Sequence, residues 1–189
     1  RHDRTQPAHH WLHHRQVGDR VAVAREARWL VVAVGPLFAP GEAEVDVWRM
    51  GLDGTDATNL TADLPGNHAL PHVSADGGRI VYRTGGDGGG RVYAMDPDGV
   101  GRRRLTAEDA IETMPALTSD GEWVVFSTDR AIGMKLWIQR IDGTEGRYLE
   151  PERLDIPDIS MHARFSPDGA WIVFTSDRGG YNDEWPLTP

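Results

Sequence analysis

The hydrophobic pattern of the chain consists of short apolar runs separated by polar, glycine-containing turns. Some runs are apolar at nearly every position, as in residues 80–82 and 123–126. Short runs of this kind, bounded by Gly, Asp and Ser, are typical of strands that lie buried between sheets. No run reaches the roughly 18 apolar residues of a membrane-spanning helix. The pattern therefore predicts an all-β protein built from short strands.

One turn sequence recurs between two apolar runs at intervals of 44 and 48 residues. Serine stands two positions before the aspartate in the first and third copies (Ser74 and Ser166), whereas Ser119 stands directly before it in the second. Glycine accepts the positive φ that tight turns demand, so each copy predicts a β-hairpin. The three turns are Asp76-Gly77, Asp120-Gly121 and Asp168-Gly169.

A second Asp-Gly turn alternates with the first and follows a strand that begins with an aromatic residue. Each copy leads into a short closing strand, which ends in Leu-Thr in the first two copies. One unit is therefore strand, turn, strand, loop, strand, turn, strand. Four antiparallel strands at a period near 45 residues are typical of a β-propeller blade. The second turns are Asp53-Gly54, Asp98-Gly99 and Asp142-Gly143.

The repeats divide the chain into a His-rich N-terminal arm at residues 1–16 and propeller blades at residues 17–189. The first unit is eroded, with Glu26-Ala27 in place of Asp-Gly, and the last stops after its second strand. Rings contain about 4 to 8 blades, so the roughly four visible blades are either a small ring or part of a larger one. Because the last blade lacks its outer strands, we expect part of a larger ring. The predicted units are residues 17–62, 66–107, 111–150 and, incomplete, 159–189.

The repeat resembles that of TolB-like β-propellers, with residues 166–178 as the best match and the Leu-Thr ending as a further one. The resemblance covers about residues 20–185 and implies a propeller fold. It also implies one of three functions. Periplasmic TolB binds proteins, and propellers attached to prolyl-oligopeptidase-type hydrolases gate an active site carried by another domain. In some polysaccharide lyases the propeller itself is catalytic.

Composition narrows these choices. The net charge of -9 disfavours nucleic acid as the partner, since phosphate binding needs a basic surface. A polycationic or neutral partner, or a divalent cation, fits better. The chain has no cysteine, which excludes disulfides, thiolate catalysis and cysteine-ligated zinc. It also contains no Gly-x-Ser-x-Gly sequence, so no hydrolase nucleophile of that type is present.

Candidate ligand-binding residues enter the strand expected to line the central channel. Aligned on the Asp-Gly turn, His68, Glu112 and Ser160 are equivalent, and so are Leu70, Met114 and His162. The prediction is a ligand site at the channel mouth formed by His68, Glu112 and His162, which suit a divalent metal or a sugar. The alternative is ordinary polar residues that wet a water-filled channel.

Two further expectations concern the aromatic residues and the C-terminal tail. Tryptophans 29, 48, 123, 137 and 171 occupy strand positions and are expected to pack between blades, which leaves Trp185 for binding. Oxygen ligands in the tail suit Ca²⁺, although Asp177-Arg178 echoes Asp129-Arg130 and so also reads as a repeated structural pair. The possible calcium ligands are Asp177, Asn182, Asp183 and Glu184.

The leading hypothesis is a non-catalytic propeller scaffold, periplasmic or extracellular, that binds a protein or glycan at the channel mouth. The alternative is a propeller-type polysaccharide lyase, with His68, Glu112 and His162 supplying a base and charge neutralisation, or the propeller domain of a larger hydrolase. Open blade edges additionally predict self-association.

Overall fold

The structure, a computed structural model, describes residues 17–35, 44–86, 89–106 and 109–178. The first blade contains β1 (Val17–Ala24), β2 (Trp29–Val34), β3 (Asp46–Gly51) and β4 (Thr58–Asn59). The second contains β5 (Asn67–Val73), β6 (Ile80–Gly86), β7 (Gly89–Met95) and β8 (Arg103–Arg104). The third contains β9 (Glu112–Leu117), β10 (Trp123–Thr128), β11 (Lys135–Arg140) and β12 (Arg147–Tyr148). After a 3₁₀ turn (Pro151–Arg153) come β13 (Ser160–Phe165) and β14 (Ile172–Ser176).

Each of the first three units is an antiparallel meander in which the strands follow chain order, and β13 pairs with β14. This confirms the all-β prediction of four-stranded blades. The described strands form an arc of blades rather than a closed ring. No helix in the described part of the chain is long and apolar enough to cross a membrane.

The core lies in layers between successive blades. The inner strand of each blade packs against its predecessor: β5 against β1, β9 against β5, and β13 against β9. Apolar side chains fill each seam, for example Val31 and Ile80 between the first two blades. Burial of these faces, worth about 25 cal/mol per Å² of apolar surface, holds neighbouring blades together.

The tryptophans follow the prediction only in part. Trp29 and Trp137 pack against clusters that two blades share, whereas Trp48 packs against residues of its own blade. Trp171, in contrast, is 73% exposed in the described part of the chain, so its packing between blades stays a prediction. It lies beside β14, the last described strand, and the described chain supplies no further sheet to cover it.

A side-chain hydroxyl closes each Ser-x-Asp-Gly turn. In the first copy Ser74 Oγ donates to Asp76 Oδ1 at 2.6 Å and accepts from the amide of Arg79 at 3.0 Å. In the second copy Thr118 makes the same two bonds, with Asp120 and Trp123, so Thr118 and not Ser119 is the equivalent of Ser74. The hydroxyl bond lowers the pKa of both aspartates below the ordinary value.

Candidate functional site

The inner strands carry the same backbone irregularity in three blades. Leu70, Met114 and His162 have positive φ values of 52°, 56° and 58°, so the equivalence seen in the sequence extends to the backbone. At each place two residues of the inner strand face one residue of the next strand, which is a β-bulge. The left-handed conformation costs a non-glycine residue about 1–2 kcal/mol, and the blade packing maintains it.

Glu112 lies inside the seam between the second and third blades, where its side chain has no exposed surface. Its carboxylate accepts hydrogen bonds from Arg130 Nη2 at 2.5 Å, from Thr106 Oγ1, and from the amide of Val92 at 3.4 Å. The residue thus joins two blades. These bonds occupy the carboxylate, and the structure does not present it at an open channel mouth.

His68 occupies the equivalent place in the seam between the first two blades. It is 3% exposed, and its ring meets that of Tyr82 edge-on with the centroids 5.9 Å apart. Burial lowers the pKa of His68, and the nearby carboxylate of Asp46 opposes that shift.

His162 differs from the other two because it is exposed, with Nδ1 3.2 Å from Thr175 Oγ1. Within the described ranges there is no group of three His, Asp or Glu side chains arranged to hold a metal ion. The predicted site at His68, Glu112 and His162 therefore consists of two seam residues and one surface residue.

In the described part of the predicted calcium tail, Asp177 makes a structural hydrogen bond. Asp177 Oδ1 accepts a hydrogen bond from the amide of Ile159 at 2.7 Å, and Asp129 Oδ1 accepts one from Ile111 at the same distance. The Asp-Arg pairs are therefore a repeated structural feature. The other residues named in these predictions, Asn182, Asp183, Glu184, Trp185 and the arm at residues 1–16, lie outside the described residues.

An open cavity of about 710 Å³ lies at the opposite end of the inner strands, beside the Ser-x-Asp-Gly turns. All four blades contribute to its wall through β1, β5, β9, β13 and the turns that follow them. Both apolar and charged side chains line it. None of its charged or imidazole side chains was among the residues that the sequence predicted to bind a ligand. The main contributors are Val21, Val23, Arg25, His72, Arg164 and Phe165.

Hydrogen bonds between blades fix the wall of this cavity. The amide of Glu26 donates to the carbonyl of Ala75 at 3.1 Å, and the amide of Ala75 donates to the carbonyl of Ser119 at 2.9 Å. Ser119 Oγ then donates to the carbonyl of Pro167 at 2.7 Å. The four turns are thus linked in series.

His72 adds a link between the second and third blades within the same wall. Its Nδ1 accepts a hydrogen bond from the amide of Leu117 at 3.2 Å. An accepting Nδ1 carries no proton, so the neutral ring holds its proton on Nε2. His72 therefore ties the inner strand of the second blade to that of the third at this wall.

Comparison with known proteins shows the fold. No family model and no curated protein matches the sequence. The chain is similar to the structure of TolB from Agrobacterium tumefaciens, at 22% identity and TM-score 0.71, over 85% of this chain and 54% of that one. TolB from Acinetobacter baumannii is similar at 17% identity and TM-score 0.67, over 85% and 37%. An oligogalacturonate lyase in complex with manganese is similar at 19% identity and TM-score 0.54, over 84% and 45%.

These structures and the meander blades place the chain in one class: it is a β-propeller. More narrowly, its fold is that of the TolB-like propellers, as the repeat implied. The chain spans about half the length of the first TolB structure and 37% of the second. At identities below 25% the likeness concerns the fold alone.

Proposed function

We propose that the chain is part of a non-catalytic propeller scaffold that binds a protein or glycan partner in the cavity beside the Ser-x-Asp-Gly turns. The observation that carries the proposal is the convergence of four blades on one concave wall of about 710 Å³. Concave sites with apolar walls and a few polar groups are the usual form of binding sites. Loops on a rigid propeller commonly carry them.

The choice of a scaffold over an enzyme rests on how the candidate catalytic groups are used. A lyase needs a free base beside the substrate. Glu112 is hydrogen-bonded to Arg130 and Thr106, and His68 is buried within a seam.

The proposal includes a periplasmic or extracellular location, which the resemblance to TolB implies. Cell fractionation tests this location.

The absence of cysteine makes a single-site fluorescent probe possible. Pro167→Cys places a dye at the cavity, and Val100→Cys places the same dye on an exposed turn away from the cavity wall. Both proteins are titrated with mixed peptides, neutral oligosaccharides and oligouronates. The proposal predicts a saturable signal from the dye at position 167 alone, with no cleavage of any sugar. Equal responses at both positions, no response, or an unsaturated cleavage product would contradict it.

A further inference from the structure

Three exposed isoleucines lie together at the end of the blades opposite the cavity. Their side chains are between 37% (Ile156) and 55% (Ile132) exposed. A single exposed aliphatic residue is ordinary on a protein surface, but a group of them marks a contact surface. The isoleucine patch consists of Ile132, Ile156 and Ile159.

The patch includes a connection that is longer here than between the other blades. Residues 149–159 join β12 to β13 and number eleven, whereas the two corresponding connections, 60–66 and 105–111, number seven each. The four additional residues account for the longer of the two intervals between the first kind of Asp-Gly turn, 48 rather than 44 residues. This insertion contains Ile156, a residue that the shorter connections show to be unnecessary for joining two blades.

Backbone contacts hold the insertion against the loop that joins β10 to β11. The amide of Ile132 in that loop donates to the carbonyl of Leu154 at 3.3 Å. Gly133, at a φ of 78°, approaches the carbonyl oxygen of Asp158 so closely that a Cβ would collide with it. These contacts place Ile132 next to residues 154–159, which carry the other two isoleucines.

A buried charge network fixes the insertion in this position. The buried Lys135 donates from Nζ to the carbonyls of Ile156 at 2.7 Å and of Asp158 at 3.1 Å. The carboxylate of Asp158 accepts from both Lys135 and Arg153. The backbone beneath the exposed isoleucines is thus fixed before a partner arrives, which reduces the ordering entropy that binding costs.

Carboxylates surround the patch and make it negative. Asp129 and Asp177 are exposed beside it, and the insertion adds the exposed Glu152 and Asp155. The cations of the insertion and of the adjoining loop are already paired, and the Lys135–Asp158–Arg153 network holds only one cation in excess of its carboxylate. The other pairs are Arg130 with Glu112 and Arg178 with Glu150. Four exposed carboxylates around an apolar centre attract a cationic partner.

We infer that the isoleucine patch binds a protein segment that presents aliphatic side chains beside lysine or arginine. Its aliphatic groups pack on Ile132, Ile156 and Ile159, and its cations meet the surrounding carboxylates. A second copy of the chain would bring the same negative surface to the contact, so like charges disfavour it. The patch is separate from the cavity, and the inference therefore goes beyond the proposed function and does not depend on it.

The test measures, by fluorescence anisotropy, the binding of a labelled peptide composed of leucine and lysine. One matched peptide has glutamate in place of lysine, and another has serine in place of leucine. We expect the leucine–lysine peptide to bind at least about tenfold more tightly than either, because each matched peptide lacks one half of the complementarity. Its binding should also weaken as salt rises.

Paired variants locate the binding on the protein. Ile132→Ser should weaken binding of the leucine–lysine peptide by about fivefold or more. Leu52→Ser, at a residue 49% exposed in the turn after β3 at the other end of the strands, should leave it unchanged. Asp155→Lys should weaken binding by about fivefold or more, since an attraction becomes a repulsion. Glu26→Lys, the same change of charge at the cavity, should have little effect.

Several results would overturn the inference. These are no binding of the leucine–lysine peptide, equally tight binding of either matched peptide, or equal weakening by a patch variant and its control. Self-association that increases with protein concentration in sedimentation, and that Ile132→Ser abolishes, would make a second copy the occupant instead. The dye at position 167 reports the cavity, so failure here is distinguishable from failure of the proposed function.

Discussion

Arg130 Nη2 lies 2.5 Å from Glu112 Oε1 in a seam where the carboxylate is fully buried and the arginine side chain is 9% exposed. The next seam holds a comparable buried pair, Lys135 with Asp158. In the first seam Asp46 instead accepts from Thr61 Oγ1, close to His68. Each seam thus combines a common apolar layer with its own polar contacts.

The buried pair predicts a large effect of Glu112→Gln on stability. The change removes the carboxylate charge that Arg130 Nη2 contacts inside the seam, and breaking a buried pair costs about 3–5 kcal/mol. We expect the free energy of unfolding, measured by urea denaturation, to fall by about 3 kcal/mol. Glu122→Gln removes the carboxylate of an exposed pair with Arg140 and should cost less than about 1 kcal/mol. Equal losses in the two variants would contradict the account of the seam.

His68 predicts acid sensitivity of the first seam. Burial lowers the pKa of His68 in the folded protein. Asp46, the backbone of Pro65 and Glu44 oppose that shift, and Arg102 reinforces it. As the pH falls below the ordinary value of 6.5, the unfolded chain binds the proton first, so stability decreases until the folded pKa is passed. The pKa values of Asp76 and Asp120 are also lowered, and these residues change the stability only below about pH 4.

Urea denaturation at pH 7.5 and pH 5.5 tests this prediction. We expect His68→Gln to lose less stability between the two pH values than the unchanged protein does. His162→Gln, at an exposed position, serves as the matched control and should keep the original pH dependence. The same slope in all three proteins would show that His68 does not control the seam.

The hydroxyl of Thr118 predicts a difference between two conservative changes. Thr118→Val keeps the shape but removes both the donor to Asp120 and the acceptor for the amide of Trp123. We expect thermal or urea unfolding to show a loss of about 1–3 kcal/mol. Thr118→Ser keeps the hydroxyl, as Ser74 does in the first copy, and should remain within about 1 kcal/mol of the original. Equal losses would mean that the hydroxyl does not close the turn.

The bulge at Met114 predicts sensitivity to side-chain branching. Its φ of 56° is a conformation that β-branched residues rarely adopt. Met114→Val should therefore lower the free energy of unfolding by at least about 1 kcal/mol more than Met114→Leu, which is apolar and unbranched at Cβ. A valine variant as stable as the leucine variant would show that the backbone relaxes at this position.

The repeats made most of the fold predictable. The Asp-Gly turns at Asp76 and Asp120 mark hairpins because glycine supplies the positive φ, and the apolar runs between them mark strands. The role of Thr118 was not predictable from serine alone, because Ser119 stands next to it and the turn requires only a hydroxyl. The exposure of Trp171 depends on which blades surround it, and its own sequence carries no such information.

The candidate site was less predictable because it depends on contacts between blades. Glu112 reads as a polar residue entering the channel, and only the packed seam shows its pairing with Arg130. Arg25 stands at a repeat position where the other copies have Ala75, Ser119 and Pro167. His72 and Arg164 share one repeat position, where the other two copies have Ala22 and Ala116. A charged or imidazole side chain at a repeat position that holds a small residue in other copies is the sequence signal for this wall.

The most direct test of the central claim is to follow the valine methyl groups by NMR while mixed peptides, neutral oligosaccharides and oligouronates are added in turn. Val21, Val23 and Val73 line the cavity, whereas Val100 and Val173 are 58% and 70% exposed outside its wall. The account predicts saturable shifts of the first three signals and stationary signals for the other two. Shifts of Val100 or Val173 with unchanged signals from Val21, Val23 and Val73 would contradict it.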